Sequence, residues 1–192
     1  MNLNGHVIPQ QAFAKELTRK SVHLMIAVVP TLVGWNFYFT VAVLSWGIIL
    51  YAVSESARMR GSGDGIISLV TEIASRPTEH GFVWGPVTLG LGTLAALLYY
   101  PEPAATIAIY ALAFGDGIAS FGHANIGIGE KALTGSFFCF MAVFVSAYIV
   151  LGNLRFALIS AAVATGLELI PVQDVDNLII PLGTGLALTL VM

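Results

Sequence analysis

Asp116 stands inside an otherwise apolar run, residues 107 to 122. A carboxylate at membrane depth costs about 2.5–3.5 kcal/mol on insertion scales, so it is normally paired, bound to a cation or turned into a polar cavity. A glycine-rich polar stretch, Gly122 to Lys131, follows it, and then Thr134-Gly-Ser136. Glycines at 122, 127 and 129 let backbone N–H groups approach an anion, and Lys131 adds a point charge. Other polar residues recur at intervals: Arg19, Lys20 and His23; Glu55 and Arg58; Glu168; Asp174, Asp176 and Asn177. His23 follows Lys20 by three, so with Arg19 these side chains can share a helix face as a phosphate clamp as well as act as membrane anchors. Glu55 and Arg58, spaced i, i+3, are expected to form an internal ion pair. Asp116, Glu168 and Asp176 offer carboxylates for a divalent cation or for proton transfer. Acids and bases gathered at one mouth can hold a cation and a polyanion together. No Walker A order, Rossmann fingerprint, zinc spacing or serine nucleophile elbow occurs, and His6, His80 and His123 lack metal-ligand spacing.

The elements that must position these residues read as membrane spans. The chain has 192 residues, 57% hydrophobic and 10% charged, with mean hydropathy +0.85. A soluble domain carries roughly 25% charged residues. About 20 apolar residues cross a bilayer, and seven spans are predicted: Ser21–Trp35, Phe37–Val53, Trp84–Tyr100, Ala104–Gly122, Gly135–Leu151, Leu154–Ile170 and Leu178–Met192. The first extends backward through Phe13–Lys20 and is read as an uncleaved span, since no small-residue cleavage site follows it. The expectation is an all-α, polytopic helical bundle forming one transmembrane catalytic domain over 1–192. The 54–81 connection contains a turn-forming Gly61-Ser-Gly-Asp-Gly65. It also contains either an interfacial helix at Ile66–Ala74 or a plain connector. Gly92 with Ala96, and Ala161 with Thr165, are small residues at packing spacing. Cys139 is a small packing residue, with no partner for an intramolecular disulfide.

With the N-terminus in the cytoplasm, Lys15, Arg19, Lys20, Arg58, Arg60, Arg76 and Lys131 all face inward and Arg155 alone faces out. That is the positive-inside pattern. The same topology carries Asp116, Lys131, Ser136, Glu168, Asp176 and Asn177 to the cytoplasmic side.

The ordered set resembles the CTP-dependent lipid-alcohol kinases: dolichol kinase, phytol kinase and the CTP-dependent diacylglycerol kinase. The matching elements begin with Arg19-Lys20-x-x-His23, Glu55-x-x-Arg58, and Gly81-Phe-Val-Trp-Gly85-Pro86 with Gly90. They continue with Gly115-Asp116-x-x-Ala119-x-x-Gly122, Gly127, Lys131-x-x-x-Gly135-Ser136, Glu168 and Asp176-Asn177-x-x-x-Pro181. The likeness runs from about Arg19 to Pro181; Glu130 departs from the basic residue or glycine expected just before Lys131. The family is related to phosphatidate cytidylyltransferase, whose longer C-terminal signature is not seen.

The resemblance implies CTP with Mg2+ as phosphoryl donor and a lipid alcohol (a polyprenol, a phytol-like isoprenoid or diacylglycerol) as acceptor from the bilayer. It implies Asp116 and Asp176 as metal ligands, and Asp116, Glu168 and Asp176 as the catalytic acids. Arg19, Lys20, His23, Gly122, Gly127, Gly129, Lys131, Ser136 and Asn177 would bind the nucleotide. The expected location is the cell membrane with the site facing the cytoplasm. The chain is open to homodimerisation, and no nucleic-acid partner is expected. Cytidylyl transfer to a lipid phosphate and small-solute transport are the alternatives of other classes. Transport would need polar residues deeper across the bundle, and the outer half is nearly bare of them.

Overall fold

The structure, a computed structural model, describes residues 20–61, 81–116, 128–170 and 174–192, with the backbone alone at 116 and 128–133. These residues are all-helical, with no strand among them. Helix α1 spans Lys20–Trp35, tightened to a 3-10 turn at Ile26–Val28. It is followed by α2 (Phe37–Met59), α3 (Gly85–Tyr99) and α4 (Ala104–Tyr110), which runs on as a π-helical stretch, Ala111–Asp116. Then come α5 (Ile128–Leu151), α6 (Leu154–Glu168) and α7 (Asp176–Val191).

Three connections are very short, and each has a local cause. Asn36 is extended (φ −159°) and its side chain accepts the Phe39 N–H at 2.9 Å, so it ends α1 and caps α2. Asn153 caps α6 by accepting the N–H groups of Arg155 and Phe156 after Gly152, which sits at φ 60°. Pro101 and Pro103 close the turn between α3 and α4. Connections this short make successive helices antiparallel neighbours.

Among the described residues, two helix boundaries differ from the sequence expectation by more than two residues. Helix α2 continues to Met59 because hydrophobicity ends at Val53 but helix propensity does not; the Glu55–Arg58 pair supports the extra turn. Helix α5 begins at Ile128, not Gly135. Gly129 and Lys131 are therefore in a helix rather than in a phosphate-cradling loop. Glu130, Lys131, Ala132 and Leu133 are good helix formers, and they outweigh the neighbouring glycines.

Helix α4 is the centre. Its residues Ala104, Ala105, Ile107–Ile109 and Ala111–Ala113 are essentially inaccessible. One side packs with Ala147, Ala157 and Leu188 from α5, α6 and α7, and another with Val29, Ala96 and Leu97 from α1 and α3. Helices α3 and α7 run parallel in close contact. Pro181 has no N–H for the Asn177 carbonyl, and that carbonyl lies directly against Gly92. Further along, the Tyr100 ring lies on Gly185 and its hydroxyl donates to the Leu182 carbonyl at 2.6 Å. Of the small residues expected at interfaces, Gly92, Ala96 and Ala161 are buried and Thr165 is half-buried; Cys139 is buried too.

Helices α2 and α5 are long and apolar enough to cross a membrane, with mean hydropathies of 1.8 and 2.0 over their most apolar stretches. Only 6% of that stretch of α2 is buried, so it is not the core helix of a water-soluble fold. Large exposed aromatics lie near the short connections (Trp35, Tyr38, Tyr99 and Tyr148), and others, Trp84 and Phe137, lie toward the other end.

Candidate active site at one end of the bundle

Contacts between helices show which termini share an end. Val83 lies beside Tyr51 and Glu55, while Gly90 lies beside Ile48, so α2 and α3 are antiparallel. Gly115 abuts Cys139, and Leu167 abuts Gly183. The C-terminal ends of α2, α4 and α6 therefore meet the N-terminal ends of α1, α3, α5 and α7. Lys20, His23, Glu55, Arg58, Ser136, Glu168, Asp174, Asp176, Asn177 and the backbone of Asp116 all belong to that end. The opposite end, among the described residues, carries only Glu102 and Arg155 as charged side chains.

A buried carboxylate organises one side of it. Glu55 is fully buried and takes a bidentate pair from Arg58, Nη2–Oε1 at 2.6 Å and Nε–Oε2 at 2.8 Å. It also accepts the Val83 N–H at 2.9 Å. Arg58 donates to the Gly81 carbonyl at 3.0 Å, and Tyr51 donates to the Val83 carbonyl at 3.0 Å. The expected internal ion pair is thus present, and it reaches further than spacing indicated, tying residues 81–83 to α2. Glu55→Ala would leave the Val83 N–H without its acceptor and Arg58 without its counter-ion. It should destabilise the protein by about 3 kcal/mol. Glu55→Gln, which keeps one acceptor, should lose less. Thermal unfolding of the detergent-solubilised variants measures the order.

The segment so held leads into α3, which meets the start of α7. Asn177 is buried, and its Nδ2 donates to the Gly85 carbonyl at 3.3 Å and to Thr88 Oγ1 at 3.0 Å. Thr88 passes the bond on to the Gly85 carbonyl at 3.0 Å. Asp174, in the left-handed region at φ 63°, places Oδ1 beside Gly85, 3.5 Å from where a Cβ would stand. Asp176 opens α7, and its Oδ1 accepts the Asn177 N–H at 2.8 Å. Asn177 was expected to touch nucleotide; the geometry shows it joining two helices. Thr88 and Tyr51 were not singled out by sequence, because they carry no local pattern. Asp174 was grouped there with Asp176 and Asn177 but given no role.

On the other side, the π-helical stretch Ala111–Asp116 delivers the backbone of Asp116. π-Turns are rare and are found frequently at functional sites. Its packing is tight: a Cβ on Gly115 would stand 3.2 Å from Cys139 Sγ and 3.4 Å from Val143. Cys139 is fully buried and accepts from Thr165 Oγ1 at 3.7 Å, which agrees with a packing role. Ser136 presents a buried Oγ with no hydrogen-bond partner among the described residues. Lys20 and His23 are buried at the start of α1, so neither extends to the headgroups as an anchor. Arg19, Gly122, Gly127, the Ile66–Ala74 segment and the side chain of Lys131 lie outside the described residues.

Among the described residues no three His, Cys, Asp or Glu side chains converge as metal ligands. Mg2+ needs fewer, usually one or two carboxylates with waters and phosphate oxygens completing its shell. Asp176 at the head of α7 is a hard-oxygen donor of that kind. Comparison with family models, with curated proteins and with solved structures gave no match to this chain.

Proposed function

We propose that this protein is an integral-membrane kinase that transfers the γ-phosphoryl group of CTP to the hydroxyl of a lipid alcohol at the cytoplasmic face. The observation that carries the reading is the gathering of acidic and basic groups at one end of a bundle whose remaining surface is apolar. The ordered resemblance to the CTP-dependent lipid-alcohol kinases supplies the substrates. Seven spans with the N-terminus inside agree with a further feature. The exposed Trp35, Tyr38, Tyr99 and Tyr148 match an aromatic belt at the opposite interface.

Phosphoryl transfer asks for positioning and charge neutralisation rather than covalent help. Arg19, Lys20, His23 and Lys131 would hold the triphosphate, with Ser136 and the backbone near Gly122, Gly127 and Gly129 beside them. Asp116 and Asp176 would hold Mg2+, which supplies charge neutralisation at the phosphates. The acceptor hydroxyl attacks the γ-phosphorus, the bond to the β–γ bridging oxygen breaks, CDP leaves, and Asp116 or Glu168 takes the proton. Asn177, Thr88 and the Glu55–Arg58 pair keep the helix ends in register.

Purified protein with Mg2+, a panel of lipid alcohols and CTP labelled at the γ or the α phosphate tests this. Label reaching lipid from the γ position is expected. Lipid labelled from the α position would make the protein a cytidylyltransferase instead.

A further inference from the structure

Helix α4 is sealed on every side but one. Between Ala104 and Gly115 the only residues with appreciable exposure are Thr106, Tyr110 and Phe114, spaced i, i+4, i+8. They form a single stripe along the helix. Ala108 and Ile109 face α1 and α3; Ala104, Ile107, Ala111 and Gly115 face α5, α6 and α7. The stripe falls in the remaining sector, between α1 and α5, which share no substantial packing among the described residues. Its residues are only partly exposed, whereas outward positions of α2 such as Trp46 and Ile49 are more than half exposed. The stripe is therefore the floor of a cleft and not an outer face. Tyr110 lies over Phe114 at 5.3 Å, so the floor of the cleft is largely aromatic. It runs about 12 Å along α4 and ends two residues short of Asp116.

From this we infer that the cleft between α1 and α5 holds the hydrocarbon tail of the acceptor lipid alcohol, with Thr106, Tyr110 and Phe114 as its floor. The inference rests on the kinase reading for its occupant. A single-chain lipid lying there places its hydroxyl at the polar end and keeps its tail in apolar surroundings. The cleft leads to the acids, and no other side of α4 is open. The floor is one side chain wide, which suits one chain rather than a bulky solute. Thr106, at the far end, then limits the length of tail that fits.

The test is photolabelling of the full chain in phosphatidylcholine vesicles, with a long-chain lipid alcohol carrying a diazirine in its tail. Labelled residues are mapped by mass spectrometry. Label concentrated on residues 106–114, competed away by excess unlabelled alcohol, is expected. Thr106→Trp should reduce it at least fivefold for a long tail and leave a short-chain probe unchanged. Val43→Trp on the exposed side of α2 should change neither. Three results would overturn the inference: label spread evenly over α2 and α5, no label on α4, or equal α4 labelling by a phosphatidylcholine with the same diazirine tail. Labelling needs no CTP, so it succeeds or fails apart from the kinase reading. Lipid that never acquires γ-phosphate while α4 is still labelled would remove the kinase and leave the cleft.

Discussion

Asp116→Asn should abolish γ-phosphoryl transfer, at least about a thousandfold or roughly 4 kcal/mol of barrier, while the protein folds as before. The two halves of that result come from one cause. At membrane depth an unneutralised carboxylate is costly, and asparagine removes the charge while keeping the shape. If the aspartate exists to hold Mg2+ or to accept the acceptor's proton, the variant loses chemistry and keeps or gains stability, as is common where function imposes an unfavourable group. If Asp116 serves only as the partner of a basic side chain, the variant should lose stability and keep activity. Thermal unfolding and transfer assays on the same preparation separate these. An active Asp116→Asn enzyme would remove the central claim. The π-helical stretch that brings the chain to Asp116 favours the first outcome, because such turns are frequent at functional sites.

Gly92→Ala should be the most damaging single-methyl change in the protein. A Cβ there collides with the backbone carbonyl of Asn177, and a backbone atom cannot rotate away as a side-chain tip can. Helices α3 and α7 must separate, which also pulls Asn177 from Gly85 and Thr88. Overpacking in a tight core costs about 1–3 kcal/mol and occasionally more; this site belongs at or above that upper bound. Gly47→Ala is the matched control. Gly47 lies in mid-α2 with nothing within 4 Å of its would-be Cβ. Replacing it should stabilise by up to about 1 kcal/mol, because glycine is the poorer helix former. Unfolding midpoints of the two variants should move in opposite directions. Equal shifts would mean that the α3–α7 contact is not the tight one.

How far the sequence reached is seen in particular residues. Apolar runs separated by Asn36, Pro101–Pro103 and Gly152–Asn153 specify helices and their turns, since capping asparagines, prolines and glycines act locally. All the turns there came out as read. The Glu55–Arg58 pair was also legible, because partners three residues apart on a helix are neighbours wherever the helix goes. The start of α5 was not: glycines at 127, 129 and 135 look like a loop, and only the helix formers between them decide the matter.

By itself, then, the sequence determined an all-helical apolar chain, the places where it turns, and the polar residues grouped near alternate turns. Each of these depends on a residue and its near neighbours along the chain. Only the tertiary structure decided that Glu55 grips the Val83 amide and that Asn177 joins α7 to α3 through Gly85 and Thr88. It alone decided that Gly92 receives the carbonyl Pro181 cannot serve, and that α4 is buried except along Thr106, Tyr110 and Phe114. The physical reason is distance along the chain. These contacts join residues 28 to 92 positions apart where a hydrogen bond is recorded. Which helix faces meet is set by packing complementarity among several helices at once, and no single helix carries that information.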